Sequence, residues 1–468
     1  MQRRWILFLC CLAQFMVILD VSVVNVALPS IRHDLGFSGA DLQWVINAYT
    51  LTFAGLLLLG GRAADLLGAR PVFIGGLLLF AVASLAGALS TSSEMLVVAR
   101  GVQGIGGAVV APVTLAILAM TFTEGAERNR ALGIWGAMGG AGGAAGVLLG
   151  GILTQVLGWQ WILLINIPIG IGAALGGYRF VPRAKPGAGG ERHYDALGAF
   201  TVTAGLIILT FAIVRTDVNG WGSAATLGVG AVGFALLGVF FAIESRFARR
   251  PLVPLRIFAS RTLSAANLVV FFLGSSVFAM WYFVSLYLQG VLGYSAIEAG
   301  LSFLPMTAAI ILASTGAGRL VQRFGPRPVL MGGMALIGLG MLGFSTLAAD
   351  GTYFPHVLVP GLLCSVGIGF SFVPGTIAAV AGVRSEESGL ASGLVNTSRQ
   401  LGGSLGLAVL ATLAAQHAGG TGPAEVTSGF DLAFRIGAGF GFAGALTAAL
   451  ALPRVRRPRA ESLAHPGS

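Results

Sequence analysis

The chain has 468 residues; 56% are hydrophobic, only 10% are charged, and 71 are glycine. Soluble globular chains carry roughly 25% charged residues, and the mean hydropathy here is +0.86. Composition therefore excludes a water-soluble fold and an intrinsically disordered chain. The net charge of +10 would point to nucleic acid in a soluble protein. Here the basic residues lie in short segments between apolar runs, so a lipid bilayer is the expected partner and nucleic acid is not.

In chain order, Arg3 and Arg4 precede an apolar run from Trp5 to Leu28. It is longer than a signal-peptide core and carries Asp20, so it reads as a first membrane span. Thirteen more spans follow near 42–61, 72–91, 95–121, 131–154, 161–180, 195–215, 223–244, 263–287, 297–317, 328–348, 356–381, 390–415 and 431–452. The even connections hold most of the basic residues: Arg62 and Arg70; Arg128 and Arg130; Arg183, Lys185 and Arg192; Arg246 through Arg261; Arg319, Arg323 and Arg327; and Arg384. The odd connections hold chiefly Arg32 and Arg215. This asymmetry places both termini in the cytoplasm and requires an even number of spans. Trp44, Trp159 and Trp161 are expected as interface anchors.

Two even connections match. GRAADLLGARP runs from Gly61 to Pro71 and GRLVQRFGPRP from Gly318 to Pro328, an offset of 257 residues. A six-span half needs only ~200 residues, so the excess is two extra spans. The expected organisation is an all-α integral membrane protein. Residues 1–181 form an N-terminal six-helix bundle, 182–193 a cytoplasmic linker and 194–245 two inserted transmembrane helices. Residues 246–261 form a second cytoplasmic linker, whose segment from Pro251 to Arg261 is expected along the membrane surface, 262–453 a C-terminal six-helix bundle, and 454–468 a basic cytoplasmic tail.

Asp20 is the one acidic residue read as deep inside a span. It lies ~22 Å up from the cytoplasmic side, and Arg100, on the oppositely directed span 4, ~9 Å down from the other side. Across a core of ~30 Å the two reach the same depth and are expected to pair. Polar and aromatic residues within spans are candidates for a substrate cavity: Asn25, Asn47, Tyr49, Gln103, Trp281, Tyr282, Asn396 and Arg399.

The loop at Gly61, Arg62, Asp65, Gly68 and Arg70 resembles the signature loop of the major facilitator superfamily, with Ala63 at a usual Leu position. Three further stretches are similar to its fourteen-span drug:proton antiporters (QacA/EmrB-like). These are LDVSVVNVALP from Leu19, RGVQGIGGA from Arg100, and a span 5 glycine pattern at Gly133, Gly142, Gly146, Gly150 and Gly151, where Val147 replaces a proline. GWQWILLINIPIG from Gly158 also looks like this family. The resemblance implies the major-facilitator fold and alternating access. It implies proton-coupled export of drug-like small molecules, antibiotics among them, across a bacterial cytoplasmic membrane by a monomer. Asp20 and Arg100 would couple protons, the Gly61–Arg70 loop would latch a conformation, and the span 5 glycines would seal the cavity. With one intramembrane carboxylate, a neutral or weakly charged amphipathic substrate is expected rather than a dication. Proton-coupled uptake of a small metabolite is the alternative. No enzyme activity, cofactor or metal is expected: the five histidines are scattered, and no phosphate-binding loop of the G-x4-G-K-[ST] type occurs.

Overall fold

The computed structural model describes residues 2–123, 126–183, 195–247, 251, 253–381, 383, 387–420 and 422–453. The expected tail and most of the first linker lie outside these residues. Among the described residues all regular structure is helical. The first half runs through α1 (Gln2–Leu35), α2 (Trp44–Leu67), α3 (Ala69–Ala88), α4 (Ser93–Thr121), α5 (Ala126–Val156), α6 (Trp161–Leu164) and α7 (Asn166–Phe180). Next come α8 (Ala196–Val214), α9 (Thr216–Asn219) and α10 (Ala224–Ala242). The rest is α11 (Arg261–Gly290), α12 (Ala296–Phe324), α13 (Pro326–Phe344), α14 (Leu358–Ala381), α15 (Ser388–Ala418) and α16 (Pro423–Ala451).

Thirteen of the described helical stretches are long and apolar enough to cross a membrane. A further 24-residue helix, α2, packs against α4 and α15. Several helices outrun the expected spans. The 34 residues of α1 extend ~51 Å at 1.5 Å per residue, well past a ~30 Å hydrocarbon core. Hydropathy registers only the apolar middle of such a helix, while backbone hydrogen bonding carries it on through Arg3 and Arg32. The same extension starts α16 at Pro423, eight residues before Asp431, which pairs with Arg435 at 2.7 Å. Asp431 thus lies about two turns into its helix and is part-exposed, whereas Asp20 is fully buried in the middle of α1.

Helix starts follow local chemistry. Ser92, Ser223, Ser260 and Ser295 each accept a hydrogen bond from a backbone N–H three residues on, and the Glu298 carboxylate accepts one from Ser295 N–H to complete a capping box. Gly68 (φ 91°) and Gly325 (φ 82°) reverse the chain between α2 and α3 and between α12 and α13. A side chain is strained at such φ values, which is why both matching loops carry glycine there.

α1, α2, α3, α4, α5 and α7 contact one another, and α11 to α16 do likewise. The groups meet along two seams, α5 on α12 and α2 on α15. α8 packs on α10 and also touches both α2 and α15, so it bridges the second seam. α10 turns Leu227, Phe234 and Phe241 outward, as a lipid-facing helix does.

The α5 glycines explain two of these contacts. A Cβ on Gly142 would lie 3.0 Å from Phe15 O, one on Gly146 2.6 Å from Ser22 Cβ, and one on Gly150 2.9 Å from Val23 O, all on α1. On another face of α5, a Cβ on Gly151 would lie 2.5 Å from Ala296 O, and Gly300 on α12 would meet Val147 O at 2.6 Å. α15 repeats the device against α11: Gly402 sits on Phe271 and Gly406 on Ser275. Small residues permit such close crossings in an apolar medium. Gly133, by contrast, faces open space. Gly146→Leu should thus force α1 off α5 and cost about 1–3 kcal/mol. Thermal unfolding of the purified protein should show a lowered midpoint for Gly146→Leu and an unchanged one for Gly133→Leu; equal midpoints would contradict the crossing.

Candidate functional site

Asp20 on α1 is fully buried and Arg100 on α4 is 2% exposed. Arg100 Nη1 donates to Asp20 Oδ2 at 2.6 Å. The other carboxylate oxygen, Oδ1, accepts from Gln103 Nε2 at 2.7 Å and from Asn166 Nδ2 at 2.9 Å. Ser84 Oγ on α3 accepts from both amides, at 2.6 Å from Gln103 and 3.2 Å from Asn166. Arg100 also donates from Nε to Val45 O at 3.1 Å and from Nη1 to Gln103 Oε1 at 2.6 Å, and it stacks 4.6 Å above the Tyr49 ring. One ion pair thus gathers α1, α2, α3, α4 and α7. A carboxylate buried among apolar helices is tolerated only with such partners.

A cavity of about 1660 Å³ lies between the two helix groups. Its wall includes Asn25, Tyr49, Phe53, Phe278, Trp281, Asn396 and Arg399. It reaches the face at which α1 begins, where Asp195, Glu244, Pro254, Leu255 and Arg256 line it. Leu255–Ala259 forms a short helical turn whose Ile257 is buried. This part of the expected surface linker therefore helps shape the cavity mouth.

The opposite end is closed. Ser285 donates to Asn25 O at 2.6 Å and Gln289 to Val26 O at 2.9 Å. Ile297 N–H donates to Gln155 at 3.0 Å, and Gln43 reaches Thr412 at 3.5 Å. Trp159, expected at the lipid interface, is 1% exposed and donates to Asp34 at 2.9 Å. Its indole seals the end of α1, whereas Trp161 stays exposed.

Five of the eight cavity candidates line the cavity: Asn25, Tyr49, Trp281, Asn396 and Arg399. The other three lie off it, because depth alone does not fix which way a helix position points. Gln103 belongs to the Asp20 cluster. Asn47 is buried and donates to Gln43 at 3.2 Å. Tyr282 is buried beside Phe283. Tyr49 has two contacts that matter: its ring carries Arg100 and it also lines the cavity, so it stands between the ion pair and the substrate-sized space.

In the first signature loop Gly61 reaches the cavity wall, while the side chains of Arg62 and Asp65 lie outside the described residues. Arg70 donates to Tyr178 O at the end of α7. Arg327, its counterpart 257 residues on, donates to Ala449 O at the end of α16. Each guanidinium thus sits at the negative end of a helix dipole. Gln2 and Arg261, at the starts of α1 and α11, hold the neighbouring carbonyls of Phe180 and Leu450 in the same way.

The sequence profile of the Major Facilitator Superfamily matches residues 10–407. The chain belongs to this superfamily. It is 44% identical to the cephamycin export protein of Amycolatopsis lactamdurans over 92% of this chain and 88% of that one. It is 38% identical to a puromycin resistance protein of Streptomyces alboniger (92% and 86% covered). It is 36% identical to the tetracenomycin C resistance and export protein of Streptomyces glaucescens (87% and 75%). Among solved structures, the peptide transporter POT in complex with sulfate shares the fold with a TM-score of 0.68 at 14% identity, over 95% of this chain and 93% of that one. A bacterial homolog of the human lysosomal transporter Spinster, inward-facing and unoccupied, gives 0.67 at 16% (97% and 99%). This is a multi-pass membrane transporter and not an enzyme.

Ser84 and Asn166 escaped the sequence reading. Each is a polar residue within an apolar run at the depth of Asp20, and Asn166 lies in the quoted GWQWILLINIPIG stretch. That shared depth was the available signal. Removing one member of a buried pair strands the other and costs ~3–5 kcal/mol. Arg100→Met should therefore lower stability sharply, and Asp20→Asn added to it should restore most of the loss. Additive losses in a double-mutant cycle of thermal unfolding would contradict direct pairing.

Proposed function

We propose that this chain is a fourteen-span drug:proton antiporter that exports amphipathic small molecules, antibiotics among them, from a bacterial cytoplasm. In this reading it acts as a monomer with both termini and the cavity mouth on the cytoplasmic side. Residues 1–181 and 262–453 form the rocking six-helix halves, with α8 and α10 inserted between them. The proton gradient supplies the energy and no cofactor takes part. The observation that carries the reading is the Asp20–Arg100 pair, buried directly behind a cavity wall. The named export and resistance relatives support the substrate class.

The mechanism follows from the contacts. A proton taken up on Asp20 removes its charge and weakens its hold on Arg100. The guanidinium then presses on Tyr49 and so on the cavity wall. Loss of the proton restores the pair. The two seams and the hydrogen bonds between α1 and α11 are what must open for release on the far side. The close α5 crossings keep that path sealed until the halves rock. The Gly61–Arg70 loop, with Arg62 and Asp65, acts as the latch at the cytoplasmic face, and Gln322 at the place of Asp65 leaves the second loop a weaker one.

Full occupancy of both Asp20 oxygens also fits a second reading, in which the pair is a fixed brace between helices. Growth inhibition of an efflux-deficient bacterium across a broad antibiotic and dye panel separates the two. Wild type should raise tolerance to a subset of compounds, and Asp20→Asn, present in the membrane at equal level, should lose it at least tenfold. Full resistance in Asp20→Asn would establish the brace.

A further inference from the structure

We propose that Arg399 binds an acidic group of the exported compound, so that the preferred cargo is an amphipathic anion, a carboxylate or sulfonate on an apolar body. This rests on the export reading and narrows the expected neutral or weakly charged substrate to one sign of charge.

The two cavity-depth arginines differ in their partners. Arg100 is held by a carboxylate, an amide oxygen, a backbone carbonyl and an aromatic face. Arg399, on α15, donates from Nη2 to Asn396 Oδ1 at 2.8 Å and lies 5.3 Å from the Phe372 ring centroid. Its Nε–H is buried without an acceptor. Among the described residues no carboxylate pairs with it. A guanidinium that is partly buried, with one N–H lacking an acceptor, gains from an added anion, and its planar fork matches a carboxylate or sulfonate with two parallel bonds.

Among the described residues, the rest of the wall offers Arg399 no carboxylate at its depth. The two carboxylates that line the cavity, Asp195 and Glu244, are at its mouth. Each already accepts a backbone N–H, from Gly198 at 2.8 Å and from Val253 at 3.2 Å. Deeper in, Trp281, Phe278 and Phe53 supply apolar faces for the body of a ligand, and Asn25 and Gln400 supply neutral polar atoms. A cation entering this space would meet Arg399 with no carboxylate beside it among the described residues. An anion would complete the bonding of Arg399.

Two dyes with one ring system test this: 8-anilinonaphthalene-1-sulfonate and the uncharged N-phenyl-1-naphthylamine. Their binding to the full-length protein in nanodiscs is measured by equilibrium dialysis against empty nanodiscs. Wild type should hold the sulfonate at least tenfold more tightly than the neutral dye. Arg399→Gln should bring the sulfonate down to the neutral dye's affinity and leave the neutral dye unchanged, and Arg399→Lys should keep most of the preference. Sulfonate binding by wild type that is absent or no tighter than the neutral dye's overturns the proposal, whatever the variants do. So does a preference that survives in Arg399→Gln. Dye movement into energised inverted vesicles reads the export function separately. Charge-selective binding without movement removes the export reading and leaves the site, whereas movement of the neutral dye with no charge selectivity removes the site and leaves export.

Discussion

Burying one carboxylate and one guanidinium among apolar helices sets the architecture of the first half. Neither charge can stay in that medium without partners, so the helices must bring them. α1 supplies Asp20, α4 supplies Arg100 and Gln103, α3 supplies Ser84, α7 supplies Asn166, and α2 supplies Val45 O and Tyr49. The second half has no equivalent pair at that depth among the described residues. Its cavity-facing arginine is Arg399, which pairs with no carboxylate among the described residues. The halves thus share a helix arrangement but carry different electrostatics.

Close glycine crossings set the rest. α5 carries glycines on one face toward α1 and on another toward α12, so it belongs to its own half and to a seam at once. α15 holds the equivalent place, with Gly402 and Gly406 on α11 and the Thr50–Ser404 hydrogen bond on α2. One seam is therefore glycine-lined, with the Ile297–Gln155 hydrogen bond at its end, and the other is polar and bridged by α8. The bridge has its own close contact, Gly55 on Thr203, and a polar tie at its far end, where Gln416 meets Thr216 and Trp221. The paired anchors of Arg70 and Arg327 on the last carbonyls of α7 and α16 show the repeat in three dimensions.

Much of this was legible in the sequence, for identifiable reasons. The pairing of Asp20 with Arg100 followed from a fixed rise per residue and an alternating helix direction. The loop repeat and the family followed from ordered motifs with charged and glycine positions. Facing was less legible. Lipid and helix core are both apolar, so hydropathy could not say that Tyr49 turns to the cavity while Asn47 turns away, or that Trp281 lines it and Tyr282 does not. Such neighbours differ by ~100° per residue around the helix. Partners contributed by distant carbonyls, as for Arg70, leave no trace in side-chain spelling. Helix ends were underestimated wherever helices ran on past the apolar core.

In the proposed mechanism, protonation of Asp20 is coupled to movement of substrate through the cavity. The most direct test reconstitutes wild type and Asp20→Asn in liposomes holding a pH-sensitive dye and adds an exported compound identified for the wild type. The account predicts a substrate-evoked proton flux in wild type, in the direction opposite to substrate, and none in Asp20→Asn, which should still exchange substrate across the membrane. An equal proton flux in both proteins would contradict it.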